Sequence, residues 1–426
     1  MLNQTFDQRS LLRLTKRNEI IKFSLGRNLD EYKISLSKIS EEIERDNYEI
    51  TTHTAFNITE NNKIKTIYSV SSAADYYALK KITDNIKRLY KIKYSNRHEI
   101  SEQILRIFED SSNMQIVRLD ISSFFESIKI SNIIDKIKSD NILSRKSLDI
   151  ILNVKSKLGI TGLPRGFPIS SPLSELFMED FDNEIRTLDG VYYYSRYVDD
   201  IIIISNSTKQ NLKEIVIKKL KSMGLNTNEK TQVINIDKEY DDYETVSYLG
   251  YQYTLHSTNN LNVLQKRRVT VRMSESKIKK IKTRIIKSLI NYNPKNKRYR
   301  NEAINKLLES FRVKLIRQRI NFITGNYELP KTSNYNNEED DSTILKGGIY
   351  YNNPLLNDTV HLEELNTFLK KSLFTNKNSF FGNRVRRIPI EVRRELASKN
   401  FINGFEKRII HKFNDSDLKK ICEIWK

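Results

Sequence analysis

The chain has 426 residues, of which 73 are Lys or Arg and 53 are Asp or Glu, so its formal charge is +20. This balance predicts a polyanionic partner, because a protein that neutralises phosphates releases their counterions and binds more strongly. The single cysteine, Cys422, excludes an internal disulfide and predicts a reducing compartment. No apolar run approaches the ~20 residues that span a bilayer and no secretory signal opens the sequence, so we expect a cytoplasmic protein of two or three structural units.

The first hundred residues are predicted to be mainly helical. Apolar residues cluster through the first fifty positions as they do in an amphipathic helix, and residues 71–105 place their apolar positions on one helical face. We expect one amphipathic helical segment over residues 1–50 and a second over residues 71–105.

Two segments in the middle of the chain combine unusual residues. An apolar run from Val117 ends in Asp120, and two phenylalanines, Phe124 and Phe125, follow it. Residues 162–172 contain two glycines and three prolines, which bend the backbone before a helical pattern over residues 173–185.

A third segment carries two adjacent carboxylates. Tyr197-Val198-Asp199-Asp200 lies between two β-branched or aromatic runs, which predicts a β-hairpin with Asp199 and Asp200 at its tip. Paired carboxylates at a tight turn repel each other unless a divalent cation lies between them, so the pattern indicates a magnesium site. An ordinary polar turn is the alternative, since aspartate is common in turns.

In order and spacing these three segments resemble motifs A, B and C of reverse transcriptases: an aspartate with an aromatic pair, a GxPxG loop followed by Ser-Pro, and a YxDD box. Residues 224–231, a turn that ends at Lys230, resemble motif D. Residues 247–251, which include Leu249 and Gly250, resemble motif E, the primer grip. The resemblance covers residues 60–290 and implies an α+β fold, a right-hand polymerase of fingers, palm and thumb with an antiparallel palm sheet and an α-helical C-terminal extension.

The resemblance implies nucleotidyl transfer assisted by two Mg²⁺ ions, which Mn²⁺ could replace. It assigns Asp120 and Asp199 as bridging ligands, Asp200 as a supporting carboxylate and the carbonyl group of Ile121 as a further ligand, in keeping with the preference of hard cations for oxygen. Lys230 would either protonate the leaving pyrophosphate or neutralise its charge, and a solvated surface lysine is the alternative.

Phe125 stands five residues after Asp120, where the family carries a steric gate against the 2′-hydroxyl group. A bulky ring at this position favours deoxynucleotides. The alternative is a core residue, a role that we assign to Phe124, because strand alternation would place the two rings on opposite faces.

The nucleotide is further expected to meet the motif B loop and a basic strand. The glycines of that loop would let the backbone approach the template–nucleotide pair closely, and an arginine occupies the position where many relatives have glutamine. Residues 63–67 resemble the basic strand that grips triphosphates, although any single lysine of so basic a chain is weakly specified. The predicted contacts are Gly162, Pro164, Arg165, Gly166 and Lys65.

Positive charge is concentrated after motif E. Residues 261–320 hold nineteen Lys or Arg against three Glu, a local net charge of +16. Between residues 277 and 287 isoleucines recur at helical spacing and lysines cover the other face, which suits a thumb that grips a template–primer duplex; a solvated charged helix is the alternative. The predicted nucleic-acid contacts are Tyr197, Leu249, Gly250, Arg268, Lys279, Lys280, Lys282 and Arg284.

We predict four regions: N-terminal helices and fingers at residues 1–110, a palm with motifs A to E at 111–255, a basic helical thumb at 256–330 and a helical extension at 331–426. An acidic cluster at residues 332–342 favours a mobile loop over a metal site. The sequence has neither a ribonuclease H pattern nor zinc-ligand cysteines, which argues against a retroviral enzyme and against a group II intron protein with an endonuclease domain.

Length, the Ile/Lys/Asn-rich composition and the helical pattern at residues 77–88 resemble bacterial defence-associated reverse transcriptases, the group of abortive-infection and "unknown group" enzymes, with retron enzymes as the nearest competitor. The resemblance implies an anti-phage enzyme of the bacterial cytoplasm that copies a dedicated non-coding RNA into DNA from deoxynucleoside triphosphates. Homo-oligomerisation is left open. The alternatives are template-independent or protein-primed DNA synthesis, an RNA-dependent RNA polymerase, and a non-catalytic RNA-binding protein on a polymerase fold.

Overall fold

The computed structural model describes residues 2–51, 53–60, 63–206, 211–229, 231–236, 243–257, 266–292, 302–329, 345–376 and 379–425. Within these ranges the chain forms two compact units, the first from residues up to 100 and from 112 to 236, the second from residues 101–111 and from 243 onward. Among the helices of the described ranges, none is both long and apolar enough to cross a membrane.

The first unit contains most of the segments singled out from the sequence. Its elements are α1 (Gln8–Leu14), α2 (Arg17–Lys22), α3 (Leu29–Glu44), β1 (His53–Glu60), β2 (Lys63–Val70), α4 (Ala73–Leu89), the start of α5 (Arg97–Phe108), β3 (Met114–Asp120), α6 (Phe124–Ser127), α7 (Ile130–Asp140), α8 (Arg145–Leu158), α9 (Ser170–Arg186), β4 (Val191–Tyr197), β5 (Asp200–Ser205), α10 (Leu212–Ser222) and β6 (Gln232–Ile236).

The second unit contains the basic segment and the C-terminal residues. After the end of α5 its elements are β7 (Tyr243–Tyr248), β8 (Tyr251–His256), β9 (Val269–Met273), α11 (Glu275–Ile290), α12 (Glu302–Thr324), β10 (Asn326–Leu329), β11 (Leu345–Gly348), α13 (Val360–Leu373), α14 (Phe380–Val385), α15 (Ile390–Ala397), α16 (Phe401–Glu406), β12 (Ile410–Lys412), α17 (Asp415–Cys422) and a 3₁₀ turn (Glu423–Trp425).

A four-stranded antiparallel sheet, in the order β4-β5-β3-β6, is the centre of the first unit. Strand β5 lies inside this sheet, and its four consecutive isoleucines, residues 201–204, are all fully buried. Because successive side chains of a strand point to opposite faces, both faces of β5 are covered. Burial of each isoleucine contributes ~1.5–3 kcal/mol relative to exposure. The sheet therefore holds the end of β3 and the start of β5, which carry the acidic residues, in a rigid frame.

The N-terminal fifty residues are mainly helical, as predicted, but they form three helices and not one continuous amphipathic helix. Thr15 has an extended backbone and ends α1. Gly26 adopts a φ of +138°, and a Cβ atom there would lie 2.5 Å from the Cβ of Glu31, so the chain must turn at this glycine. Asn28 then starts α3, because its side chain accepts the N–H of Glu31.

Strands β7, β8 and β9 form an antiparallel sheet in the second unit. Leu249 and Gly250 connect β7 to β8 with φ values of +43° and +75°. Two successive positive φ angles are typical of a type I′ turn, whose twist matches that of the strands it joins. Strand β9 lies within residues 256–330, for which the sequence predicted a helical thumb, so this region contains a strand as well as helices α11 and α12.

Helix α11 buries the isoleucines that the sequence placed on its apolar face. Ile278, Ile285 and Leu289 pack with leucines of α13 in one core. The same core continues through Ile388, Leu396 and Phe401. Residues 345–425 are thus built onto the same core as the two basic helices.

The C-terminal region is not purely α-helical, contrary to prediction. Strand β10 pairs antiparallel with β11 and parallel with β12, which gives a small three-stranded sheet. Each of these strands has only three or four residues. Segments this short are below the length at which alternation of polar and apolar residues can be recognised. The acidic cluster at residues 332–342 lies outside the described residues.

Candidate active site

The hairpin of β4 and β5 places two aspartates at its tip, as the sequence predicted. Tyr197 pairs with Asp200, so Val198 and Asp199 form the turn. Val198 adopts a φ of +61°, a left-handed conformation that β-branched residues rarely take. Such strain costs about 1–3 kcal/mol and persists only where the surroundings enforce it. The turn is therefore held in place by its neighbours.

The end of β3 adjoins this turn. Asp120 lies opposite Asp200 in the β3–β5 pairing, and the N–H of Ile121 donates to the carbonyl oxygen of Asp199 at 3.0 Å. Burial, and then the charges of Asp120 and Asp200, raise the pKa of Asp199 above its ordinary value. A carboxylate whose pKa is raised by two neighbouring carboxylates lies in the environment that a divalent cation favours.

The oxygen ligands and the negative charge of these aspartates both fit magnesium. Asp120, Asp199 and Asp200 supply carboxylate oxygens, the ligands that hard cations prefer. In the part of the chain that the structure describes, no three His, Cys, Asp or Glu side chains are already clustered as a metal site. The fit therefore rests on the adjacency of the aspartates and on the raised pKa of Asp199.

Two polar side chains that sequence reasoning missed hold the acidic residues. Asn228 donates its backbone N–H to the carbonyl oxygen of Asp120 at 2.9 Å and its side-chain amide to the Asp120 carboxylate. Arg118 lies two residues before Asp120, and its Nη2 is 3.4 Å from Oδ1 of Asp200. Asn228 belongs to the segment that resembles motif D, so its polar turn was visible in the sequence, but its partner 108 residues away was not.

Arg196, next to the acidic hairpin tip, is a buried cation that the sequence analysis also missed. Its guanidinium group binds Asp182 through Nε and Nη2 at 2.9 and 2.7 Å, and Glu175 through Nη2 at 2.6 Å. Its Nη1 donates to the carbonyl oxygen of Val198 at 3.1 Å. Burial alone lowers the pKa of Arg196, but the hydrogen bonds and charges of Asp182 and Glu175 outweigh it and raise the pKa. Arg196 thus ties the strained residue of the turn to helix α9.

The glycines of the loop before α9 are needed for contacts within the protein. A Cβ atom on Gly162 would lie 2.3 Å from the carbonyl oxygen of Glu126. Gly166 has a φ of +100°, and its Cβ would lie 2.3 Å from the carbonyl oxygen of Tyr68. The sequence analysis expected these glycines to admit the nucleotide, whereas the structure gives them close backbone neighbours of their own.

Helix α9 begins at Ser170, three residues before the helical pattern at 173–185 suggested. The hydroxyl group of Ser170 donates to the carbonyl oxygen of Pro164 at 2.6 Å. Pro172 lies in the first turn, where the missing N–H of proline has no helical partner to lose. The loop is therefore anchored directly to the first turn of the helix.

Phe124 and Phe125 lie in the short helix α6, so the reasoning from strand alternation was wrong. Ser123, just before them, has a φ of +48°, which ends the extended backbone of β3. Phe124 is buried, as expected of a core residue, and Phe125 is half-buried with its ring centroid 5.4 Å from that of Phe124. The two rings differ in burial, and the assignment of Phe125 as the gate stays a prediction.

Arg165 is held by a carboxylate. Its Nε and Nη2 atoms are 3.0 and 3.2 Å from the two carboxylate oxygens of Glu126. Burial has the largest influence on the pKa of Glu126 and raises it, but the hydrogen bond and the charge of Arg165 help to lower this pKa below its ordinary value. Lys65 on β2 is half-buried, and its charge lowers the same pKa by a smaller amount. Three residues that were predicted to contact the nucleotide therefore lie around the carboxylate of Glu126 in the same unit: Phe125, Arg165 and Lys65.

The predicted nucleic-acid contacts differ in what they touch. Lys279 and Lys280 are exposed on α11. Lys282 instead forms an ion pair with Glu364. The guanidinium group of Arg284 lies 5.1 Å from the ring centroid of Trp425. The two exposed lysines are available to a phosphate backbone, whereas the latter two residues also hold α11 to the C-terminal segment.

The other predicted residues are spread over both units. Tyr197 is half-buried at the end of β4, Arg268 is exposed before β9, and Leu249 is buried in the β7–β8 turn beside Gly250. Lys230 lies outside the described residues. The roles given to these residues stay predictions.

One comparison with known proteins identifies the central part of the chain. Residues 60–253 match the family model described as reverse transcriptase (RNA-dependent DNA polymerase). The match contains all five segments singled out above, from Asp120 to Gly250, and confirms the family resemblance at the level of this domain. No curated protein matches the chain. The antiparallel sheets among helices agree with the α+β architecture of such a domain.

Proposed function

We propose that Asp120 and Asp199 hold two magnesium ions for DNA synthesis on an RNA template. Residues 60–253 form a reverse transcriptase domain, which makes this chain an RNA-directed DNA polymerase and so a nucleotidyltransferase. Asp200 and the carbonyl group of Ile121 complete the ligand set, and Mn²⁺ can replace Mg²⁺. When bound, the ions stabilise the attacking and the leaving oxygen of an in-line displacement. The observation that supports this site best is the raised pKa of Asp199 beside Asp120 and Asp200.

The surrounding residues keep the acidic groups in place before substrate binds. Asn228 holds Asp120 from both its backbone and its side chain, and Arg118 holds Asp200. Both Asp120 and Asp200 are thus oriented by neighbours, and we give Asp200 the supporting role because the family resemblance assigns it. Reacting groups that are already oriented save the entropy of ordering them during the reaction.

The nucleotide would lie against Phe125 and the motif B loop, in an arrangement of fingers, palm and thumb. The ring of Phe125 would oppose a 2′-hydroxyl group, so deoxynucleoside triphosphates are the preferred substrates. Lys65 supplies positive charge near the same place, where a triphosphate carries its negative charge, and Arg165 lies against the ring of Phe125. Lys230 remains a candidate for neutralising the pyrophosphate.

At the level of biology we propose an anti-phage enzyme of the bacterial cytoplasm that copies a dedicated non-coding RNA. Support comes from the +20 charge, the length and the composition of the chain. Sequencing of the nucleic acid that co-purifies with the protein tests this proposal: one abundant RNA and complementary DNA are expected. DNA without any complementary RNA would instead indicate template-independent or protein-primed synthesis by the same active site.

The catalytic assignment is tested by Asp199→Asn and Asp120→Asn in the purified full-length protein. We expect nucleotide incorporation on a primed RNA template to fall by about a thousandfold or more, since loss of a metal ligand removes several kcal/mol of transition-state stabilisation. Asp189→Asn is the matched control, because Asp189 is exposed just before β4 and far along the strand from the hairpin tip. Wild-type incorporation by either active-site variant would refute the assignment.

A further inference from the structure

The ion pair between Glu126 and Arg165 lies beside the ring of Phe125, which the proposed function uses. Arg165 meets Glu126 with two parallel hydrogen bonds of 3.0 and 3.2 Å. The same guanidinium group lies 5.4 Å from the ring centroid of Phe125. A planar guanidinium group can fork onto a carboxylate and stack on an aromatic face at the same time, which an amide or an ammonium group cannot do equally well.

The backbone around this pair is fixed on both sides. The N–H of Leu163 donates to the carbonyl oxygen of Phe125 at 2.8 Å, and the N–H of Tyr68 donates to the carbonyl oxygen of Arg165 at 2.8 Å. Gly162 is packed so closely on the backbone of Glu126 that no side chain fits between them. The loop, the helical turn α6 and strand β2 therefore meet around Phe125, and its ring has the guanidinium group on one side and Phe124 nearby.

We propose that Glu126 and Arg165 act as positioning residues that hold the ring of Phe125 and thereby set the discrimination between deoxyribonucleotides and ribonucleotides. This proposal rests on the proposed role of Phe125 as the gate. A steric gate can reject a 2′-hydroxyl group only if its ring is held in place, because a ring that can rotate or shift relieves the steric clash at little cost in free energy. The backbone of Phe125 is held, but its ring is only half-buried, so neighbouring side chains must fix the orientation of the ring.

The competing role for Arg165 is direct binding of the triphosphate. In that case the guanidinium group would leave Glu126 when nucleotide binds, and its loss would weaken all nucleotides equally, whatever their sugar. The two roles predict different changes in the kinetics of nucleotide incorporation. A positioning role changes the ratio of incorporation efficiency between the two sugars, and a binding role changes KM for both sugars by the same factor.

A charge-exchange experiment separates these roles. Glu126→Arg, Arg165→Glu and the double variant E126R/R165E are assayed for incorporation of matched deoxy- and ribonucleotides on the same primed RNA. Each single variant places two like charges together and should raise the ribonucleotide-to-deoxynucleotide ratio by roughly threefold to tenfold, since partly exposed pairs couple by about 1 kcal/mol. The double variant restores the pair in reverse and should return the ratio to within about twofold of wild type.

The matched control exchanges the exposed pair Glu49 and Lys157, whose closest atoms are 2.8 Å apart in the same unit. E49K/K157E should leave the ratio unchanged. Equal increases of KM for both sugars in Arg165→Glu, without rescue in the double variant, would overturn the proposal. So would an unchanged ratio in both single variants.

Milder variants cover the case in which the single charge reversals do not fold. Glu126→Gln and Arg165→Lys keep size and polarity but lose the forked pair, and they should raise the ratio by roughly twofold to threefold at an unaltered melting temperature. Failure of the proposed function looks different: wild type would then incorporate neither nucleotide and would be indistinguishable from Asp199→Asn. An active wild type with an unchanged ratio in all pair variants refutes the positioning role alone.

Discussion

Asp120 lies directly opposite Asp200, as the final residue pair of the antiparallel ladder between β3 and β5. Since Asp199 precedes Asp200 in the hairpin turn, this single pairing brings three carboxylates to one corner of the sheet. The pairing register of β3 and β5, more than the geometry of the hairpin turn, therefore brings these carboxylates together. A shift of one residue in that ladder would turn Asp120 to the other face of the sheet.

The raised pKa of Asp199 makes stability depend on pH in a defined direction. Burial, and then the charges of Asp120 and Asp200, raise the pKa of Asp199 in the folded protein. The stability linked to this proton is complete below the pKa of the unfolded chain and is lost as the pH rises through the folded pKa. Without divalent cations, Asp199→Asn should therefore raise the melting temperature at neutral pH by roughly 2 °C, and the gain should shrink in acid.

Thermal melts with and without Mg²⁺ check this prediction. Added Mg²⁺ should raise the melting temperature of wild type and have a much smaller effect on Asp199→Asn. A variant that is less stable than wild type at neutral pH without metal would contradict the repulsion on which the site was inferred.

The network around Arg196 should couple stability to catalysis. Arg196→Lys keeps the charge but cannot reach Asp182, Glu175 and the carbonyl group of Val198 together. We expect a loss of about 1–3 kcal/mol in the free energy of unfolding and about tenfold in kcat, with little change in KM, because the acidic turn loses its orientation.

Denaturant unfolding and steady-state kinetics measure both effects. Arg186→Lys is the matched control, since Arg186 lies on the same helix α9 with an exposed side chain that contacts the ring of Tyr194. Its unfolding free energy should stay within about 0.5 kcal/mol of wild type. If Arg196→Lys loses stability but keeps full kcat, the residue supports the fold and does not position the turn.

Sugar selection should respond to Phe125 and not to its neighbour. Phe125→Val should raise the ribonucleotide-to-deoxynucleotide ratio by about tenfold, because the smaller side chain leaves room for a hydroxyl group. Phe124→Leu should cost about 1 kcal/mol of stability as a core substitution and leave that ratio unchanged. Competitive incorporation on one template gives both ratios. An unchanged ratio in Phe125→Val would place the gate elsewhere.

The exposed lysines of α11 should contribute to nucleic-acid binding. K279E/K280E should weaken binding to a primed template. The slope of log affinity against log salt concentration should become shallower by ~0.9 for each phosphate that the protein no longer neutralises. We expect the loss of one or two such phosphate contacts. The matched control is K218E/K221E on α10, which makes the same change of charge at two exposed lysines of the other unit. Equal slopes for the two double variants and wild type would show that the lysines of α11 face solvent. Lys282 is unsuitable for this test, because it pairs with Glu364.

Local patterns predicted the elements that carry the site. Alternating and β-branched residues around Asp199 indicated the hairpin, and isoleucine spacing indicated α11, because both signals are contained in a few adjacent residues. Breaks in regular structure were harder. The turn at Gly26 and the helical turn that begins after Ser123 depend on positive φ angles, and a serine in particular gives little sign that it will adopt one.

The partners of the candidate site residues could not be predicted from one sequence. Asn228 meets Asp120 across 108 residues and Glu126 meets Arg165 across 39, so neither pair falls within a local pattern. Arg196 could have been suspected, because an arginine inside an apolar strand must find a counter-charge when it is buried. Which acidic residue supplies that charge depends on how α9 packs on the sheet.

The core shared by α11 and α13 bears on how the C-terminal region can be studied. A chain shortened to end at residue 330 would remove the leucines against which Ile278, Ile285 and Leu289 are packed. Loss of activity in such a deletion would then report exposure of an apolar helix face and its aggregation, and would say little about a separate task of the C-terminal residues. Point substitutions on the exposed side of α13 to α16 are the cleaner way to ask what this region does.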